Sequence, residues 1–233
     1  MSEPFPVLLI PGLLCSARLY GPQIAPLRRI GPVTVADHTR DAQMAGIARR
    51  ILAAAPPRFH LVGLSMGGYI AFEILRQAAD RVDKLVLLDT ASGADRPEQT
   101  ERRRALMELA RTKGVRAVND ALFPLLVHES RKGDKNLRSV VDSMAEDVGV
   151  EAFVHQQAAI AGRPDSRPDL PSIRCLTLVV VGDSDQITPP NLAREIADGI
   201  PGAQLEIIAG CGHLSTLEMP DAVNRLLVPW LAS

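Results

Sequence analysis

The run Gly63-Leu64-Ser65-Met66-Gly67 sets a serine between two glycines in the pattern G-x-S-x-G. Ahead of it, Phe59–Val62 is an apolar stretch of strand length. Behind it, Ile70, Ile74 and Leu75 recur at helical spacing. A serine on so tight a strand-to-helix turn points its hydroxyl away from the sheet. Glycines at 63 and 67 suit a turn where strand and helix pass too close for side chains. The helix amino terminus behind Ser65 favours developing negative charge, and the Met66 N–H points where an oxyanion would form.

A serine hydroxyl is a weak nucleophile at neutral pH, so it needs a general base, and the base needs an acid to orient its ring. The chain has five histidines. His60 lies inside the Phe59–Val62 run and reads as a packed strand residue. His128 and His155 fall in a helical stretch too variable to position a base. His38 follows the second strand and suits a pocket rim. His213, in Gly210-Cys211-Gly212-His213-Leu214, lies in a loop after the last strand and is the expected base. For the acid, Gly182-Asp183-Ser184-Asp185 follows the strand run Leu176–Val181. Asp183 is closer to the strand and more easily committed to an Asx turn. Asp185, just before Ile187-Thr188-Pro189-Pro190, is favoured, and Asp89 after the fourth strand is the weaker rival.

These residues depend on a sheet to bring them together. Apolar runs begin at Val7, Val33, Phe59 and Leu85, a step of 26 each time. Between the second and third, Met44, Ile47, Ala48, Ile51 and Leu52 follow one face of a helix. Strand–helix–strand units of this size imply right-handed crossovers and a parallel sheet. Uniformly apolar strands imply helices on both of its faces. The next runs, Leu176–Val181 and Leu205–Ile208, come only after a long gap, and a helix with Val223, Leu226, Leu227, Trp230 and Leu231 on one stripe follows. The predicted fold is α/β: a six-stranded, mainly parallel sheet whose core spans 1–95 and 163–233. Residues 96–162 form a helical insertion, punctuated by Gly93, Gly114, Gly133 and Gly149. It lies across the carboxyl edge of the sheet, where open α/β sheets bind ligands. Pro164, Pro168 and Pro171 then suit an extended return.

Composition narrows the classes further. At 233 residues, 46% hydrophobic and 23% charged, the chain reads as one globular domain. Twenty-six Lys and Arg against 27 Asp and Glu leave a net charge of −1, with no electrostatic reason to expect nucleic acid. The start, MSEPFPVLLIPGLL, lacks a basic region and an unbroken apolar span, so neither signal peptide nor membrane segment is expected. Cys15, Cys175 and Cys211 are too few and too scattered for a disulfide framework or a structural zinc. A cytoplasmic protein without metal or organic cofactor is expected.

Four stretches together resemble the α/β-hydrolase family, in particular small capped bacterial carboxylesterases and enol-lactonases. They are LLIPGLLCS, LVGLSMGGYIAFEI, LVVVGDSDQITPP and GCGHLSTLEMP, and the order Ser65, Asp185, His213 is that of the family's triad. The resemblance implies a second oxyanion N–H after Pro11-Gly12, from Leu13, with Leu14 as alternate. It also implies that the insertion is a lid over an acyl pocket. Two departures stand out. Six residues before the first strand leave no room for the family's usual first two strands, and Pro11 replaces its common histidine. Ser65 excludes members with a carboxylate nucleophile. What remains is hydrolysis of carboxylic esters, including lactones, through an acyl-enzyme. Alternatives on the same triad are carbon–carbon bond hydrolysis, thioester hydrolysis and cofactor-free perhydrolysis. A non-catalytic ligand-binding protein is the alternative from another class.

An aliphatic acyl pocket is expected around Leu14, Phe123, Leu126, Phe153, Ile187 and Leu214. Arg102-Arg103-Arg104 reads as solvated helix surface, because consecutive helical residues lie about 100° apart and cannot share a face. Cys211, beside His213, reads as a small loop packer.

Overall fold

A computed structural model describes residues 5–233. Its sheet has six strands, β1 (Val7–Ile10), β2 (Val33–Val35), β3 (Phe59–Leu64), β4 (Val82–Leu88), β5 (Leu176–Gly182) and β6 (Gln204–Ile208). They run in the order β2-β1-β3-β4-β5-β6 with every pairing parallel. The register aligns the carboxyl ends: Leu64 pairs with Leu88, Leu88 with Val180, and Gly182 with Ile208.

Because side chains alternate along a strand, each central strand feeds two cores. Leu8, Ile10, Leu61, Leu85, Leu87, Val179 and Val181 face α2 (Met44–Ala54), α3 (Met66–Ala78) and α6 (Pro190–Gly199). Val7, Leu9, Val62, Leu64, Val86, Leu88, Leu178 and Val180 face α1 (Gly21–Leu27) and α8 (Pro220–Ala232), with the short α7 (Ser215–Glu218) leading into α8. Burial of a large aliphatic side chain stabilises by about 1.5–3 kcal/mol, so these two layers fix the frame. The expectation of strands buried on both faces fails at the edges. β2 is only half-buried, and β6 exposes Gln204, Glu206 and Ile207, since an edge strand has a neighbour on one side only. The even step also breaks, because β4 begins at Val82 rather than Leu85.

Between β4 and β5 the chain makes two long helices, α4 (Pro97–Leu126) and α5 (Lys135–Ala161), which pack on each other. Each is broken once, at Gly114 (φ 80°) and Gly149 (φ 76°), a left-handed backbone that favours glycine. Ala110, Val118, Leu122, Ala145 and Phe153 form their common core, and Leu14 from the loop after β1 joins it. The return is not wholly extended as expected. Arg167–Ser172 forms a 3-10 turn, which Pro168 tolerates because a first-turn N–H has no helical partner to lose. No helix among the described residues is long and apolar enough to cross a membrane.

Candidate active site

Ser65 joins β3 to α3 at φ 56°, ψ −114°, a conformation that costs on the order of 1–3 kcal/mol and needs its surroundings to hold it. The Ser65 N–H donates to Leu88 O at 2.9 Å, and Thr90 Oγ1 donates to Ser65 O at 2.8 Å, so the end of β4 clamps the turn. The glycines answer to close approach, though not to a single one. A Cβ at Gly63 would lie 2.4 Å from Gly67 O, where strand meets helix. A Cβ at Gly67 would lie 2.0 Å from Ile10 O, at the end of β1.

The three strand ends deliver the expected partners. His213 Nε2 is 2.9 Å from Ser65 Oγ, and His213 Nδ1 is 2.8 Å from Asp185 Oδ2. All three residues are buried, with Ser65 the most open at 9%. Asp185 Oδ2 also accepts from Thr188 Oγ1 at 2.7 Å, while Oδ1 accepts the Ile187 and Thr188 N–H groups. The Asx-type turn expected of Asp183 is therefore made by Asp185 instead, and the same carboxylate braces its own loop and the imidazole. Asp183 Oδ1 accepts from Ser184 Oγ and from the Cys211 N–H, which ties its loop to the one that carries His213. The His213 N–H donates to Leu126 O at 2.9 Å, which ties the loop of the base to the end of α4.

Electrostatics follow this geometry. Burial alone would weaken the imidazolium of His213. The Asp185 carboxylate, with Asp89 and Glu218 behind it, outweighs burial and raises its pKa above the ordinary value. Burial likewise pushes Asp185 up, but His213 and the loop hydrogen bonds prevail and hold it below the usual carboxylate range. Asp89 differs. Complete burial, then repulsion from Asp185, push it up to about 8. It accepts the Gly182 N–H at 3.0 Å and the Ser215 hydroxyl rather than bonding His213.

Among the described residues, the N–H groups of Leu13 and Met66 donate no hydrogen bond, whereas the Leu14 N–H donates to Gln156 Oε1 at 3.0 Å. Leu13 is half-buried. Of the expected acyl-pocket residues, Leu14 and Phe153 pack inside the insertion core, and Phe123 and Leu214 join the core under α8. Leu126 and Ile187 are half-buried.

The other histidines part from the site as anticipated, with one exception. His60 is buried near Asp83, His128 is bonded to Ser130, and His155 is half-buried on α5. His38 is buried instead of sitting at a rim, with Nε2 2.9 Å from Gly12 O and 3.0 Å from Gln156 Nε2. Arg103 corrects the reading of a solvated arginine run. It turns inward to Asp95 and Gln157, while Arg102 and Arg104 stay exposed, as helical spacing requires. Cys211 is buried, and burial followed by the nearby Asp89 and Glu218 raises its thiol pKa strongly, which suits packing. No group of three or more His, Cys, Asp and Glu among the described residues is placed to share a metal ion.

Comparison with known proteins agrees with this architecture. A thermophilic esterase from Thermogutta terrifontis superposes with a TM-score of 0.89 at 30% identity, covering 98% of this chain and 90% of that one. The enol-lactonase from Burkholderia xenovorans LB400 shares the fold with a TM-score of 0.90 at 24% identity, covering 100% and 93%. A curated relative, the 2-hydroxy-6-oxononadienedioate/2-hydroxy-6-oxononatrienedioate hydrolase of Escherichia coli K12, is 29% identical over 180 residues, 75% of this chain. The chain spans 62% of that relative's length. The Alpha/beta hydrolase family description matches residues 7–226, from the start of β1 into α8. With strand order, serine turn and family match in agreement, the chain belongs to the α/β hydrolase family.

Proposed function

We propose that this protein is a serine hydrolase of carboxylic esters, lactones included, that works through an acyl-enzyme on Ser65. The continuous contact from Asp185 through His213 to Ser65 carries the reading. Ser65 Oγ attacks the ester carbonyl while His213 Nε2 takes its proton. Asp185 holds the ring by Nδ1 and stabilises the imidazolium. The carbonyl oxygen becomes an oxyanion facing the free N–H groups of Leu13 and Met66, at the positive end of α3. Collapse expels the alcohol, which receives the proton from His213. Water, activated by the same imidazole, then releases the acid and restores Ser65.

Residues 96–162 serve as the lid of this site. The half-buried aliphatic side chains of Leu13 and Ile187, on loops that carry the site, and of Leu126, at the end of α4 bonded to the His213 loop, favour small to medium apolar acyl groups. A second reading comes from the E. coli relative's name: hydrolysis of a 2-hydroxy-6-oxo dioate with the same three residues. A neutral ester is favoured over a dicarboxylate because Arg103 and Arg163, the inward guanidiniums of the insertion and its return, are both paired to Asp95. The three cysteines are free, and we assign the protein to the reducing cytoplasm.

The test is hydrolysis of p-nitrophenyl esters from acetyl to decanoyl, wild type beside Ser65→Ala. The expected result is turnover with a chain-length optimum and a loss of about 10⁶ in kcat in the variant. Ester turnover of equal rate in both proteins would overturn the assignment.

A further inference from the structure

The loop carrying the Leu13 N–H is held from outside the sheet. Leu14 sits at φ 58°, a backbone region that bulky side chains avoid, and such residues persist where their surroundings over-determine them. Its N–H donates to Gln156 Oε1 at 3.0 Å, in a fully buried bond that reaches from the loop after β1 to α5 of the insertion. The other end of the same amide lies 3.0 Å from His38 Nε2, which is 2.9 Å from Gly12 O. His38 Nε2 cannot both accept from the amide and donate to Gly12 O, so the insertion's hold on this loop is the bond from the Leu14 N–H to Gln156. The Leu14 side chain is anchored among Ala110, Val118 and Phe153. Further along, Ser16 Oγ and Arg18 Nε both donate to Asp147 on α5, at 2.7 and 2.9 Å.

Building on the reading of Leu13 as an oxyanion donor, we propose that Gln156 is a positioning residue for the oxyanion hole. By accepting the Leu14 N–H it fixes the left-handed turn and leaves the Leu13 N–H as the donor free for substrate. The insertion therefore completes the catalytic site as well as covering it. Moving α5 away strips the Leu14 N–H of its acceptor and lets the strained turn relax.

The test compares Gln156→Met, Gln156→Ala and Gln156→Glu. Methionine keeps the volume without an amide, whereas glutamate keeps an acceptor for Leu14 and offers His38 a second oxygen. With p-nitrophenyl butyrate, Met and Ala are expected to lower kcat by about 10–100-fold with KM within about threefold, below the cost of losing an oxyanion donor outright. Glutamate is expected to recover kcat to within about fivefold of wild type. n-Butylboronic acid, whose serine adduct carries an oxyanion, should bind the Met variant about 10–100-fold more weakly than wild type. Fluorophosphonate labelling of Ser65 and a thermal melt establish that each variant is folded.

A Met variant with wild-type kcat and boronate affinity overturns the proposal, as does Met restoring what Ala loses, which would mark a packing role. Boronate affinity reads the oxyanion hole even if the ester is not turned over, so failure of the substrate class is separable. A wild type that binds neither boronate nor fluorophosphonate overturns both readings.

Discussion

Asp185 brings together tasks that are often divided between residues. One oxygen accepts two backbone N–H groups of its own loop, and the other accepts from Thr188 and His213. A carboxylate so satisfied stays charged, and it raises the pKa of His213 above 6.5 despite burial. The consequence for activity has a definite sign. On the proposed mechanism His213 must be neutral to take the Ser65 proton, so kcat/KM falls as pH drops through its folded-state pKa. A kcat/KM profile between pH 5 and 9 should show a rising limb with its midpoint above 6.5. A midpoint below 6.5 would mean that burial, not Asp185, governs the ring. Ser65, Asp185 and His213 were legible in the sequence because each lies in a short motif just after a strand run. Gln156 was not: a lone glutamine inside a helix has no local signal, and its partner Leu14 is 142 residues away. The dual role of Asp185 had no distinctive signal, because an Asx turn takes the N–H two residues on, here that of Ile187, which any residue but proline supplies.

The insertion is tied to the core where it leaves and where it returns. Asp95, just before α4, accepts from Arg103 of α4 at 2.5 Å and from Arg163, just after α5, at 2.6 Å. Arg163 also donates twice to Gly93 O, at 3.1 and 2.9 Å, and its guanidinium lies 4.2 Å from the centre of the Tyr69 ring on α3. The Asp95 and Arg163 side chains are 1% and 6% exposed. Removing only the carboxylate strands buried positive charge, which costs about 3–5 kcal/mol. For a chain of this size, Asp95→Ala should lower the melting midpoint by about 6–20 °C. A midpoint within about 2 °C of wild type would show that the latch contributes little. Helical spacing made it legible that the three arginines could not share a face, but not which one turns inward. That choice depends on Asp95, which lies outside the helix, and on Gln157 of α5.

At the scale of the whole molecule, parallel strands carry Ser65, Asp185 and His213 to one edge of a single sheet, and the two long helices between β4 and β5 bond to the loops at that edge. The parallel strands, the helices between them and the long gap after the fourth strand were readable because apolar periodicity reports which faces are buried. The half-buried edge strands and the 3-10 turn at Arg167–Ser172 were less readable, since an edge strand and a buried one can share the same apolar run. The most direct test of the central claim uses p-nitrophenyl trimethylacetate, whose hindered acyl group leaves a serine slowly. Mixed with the wild-type protein and quenched in acid, it should release a burst of p-nitrophenol equal to the enzyme present. Peptide mapping should then find the trimethylacetyl group on Ser65. Release without an acyl group on Ser65, or an equal burst from Ser65→Ala, would contradict the account.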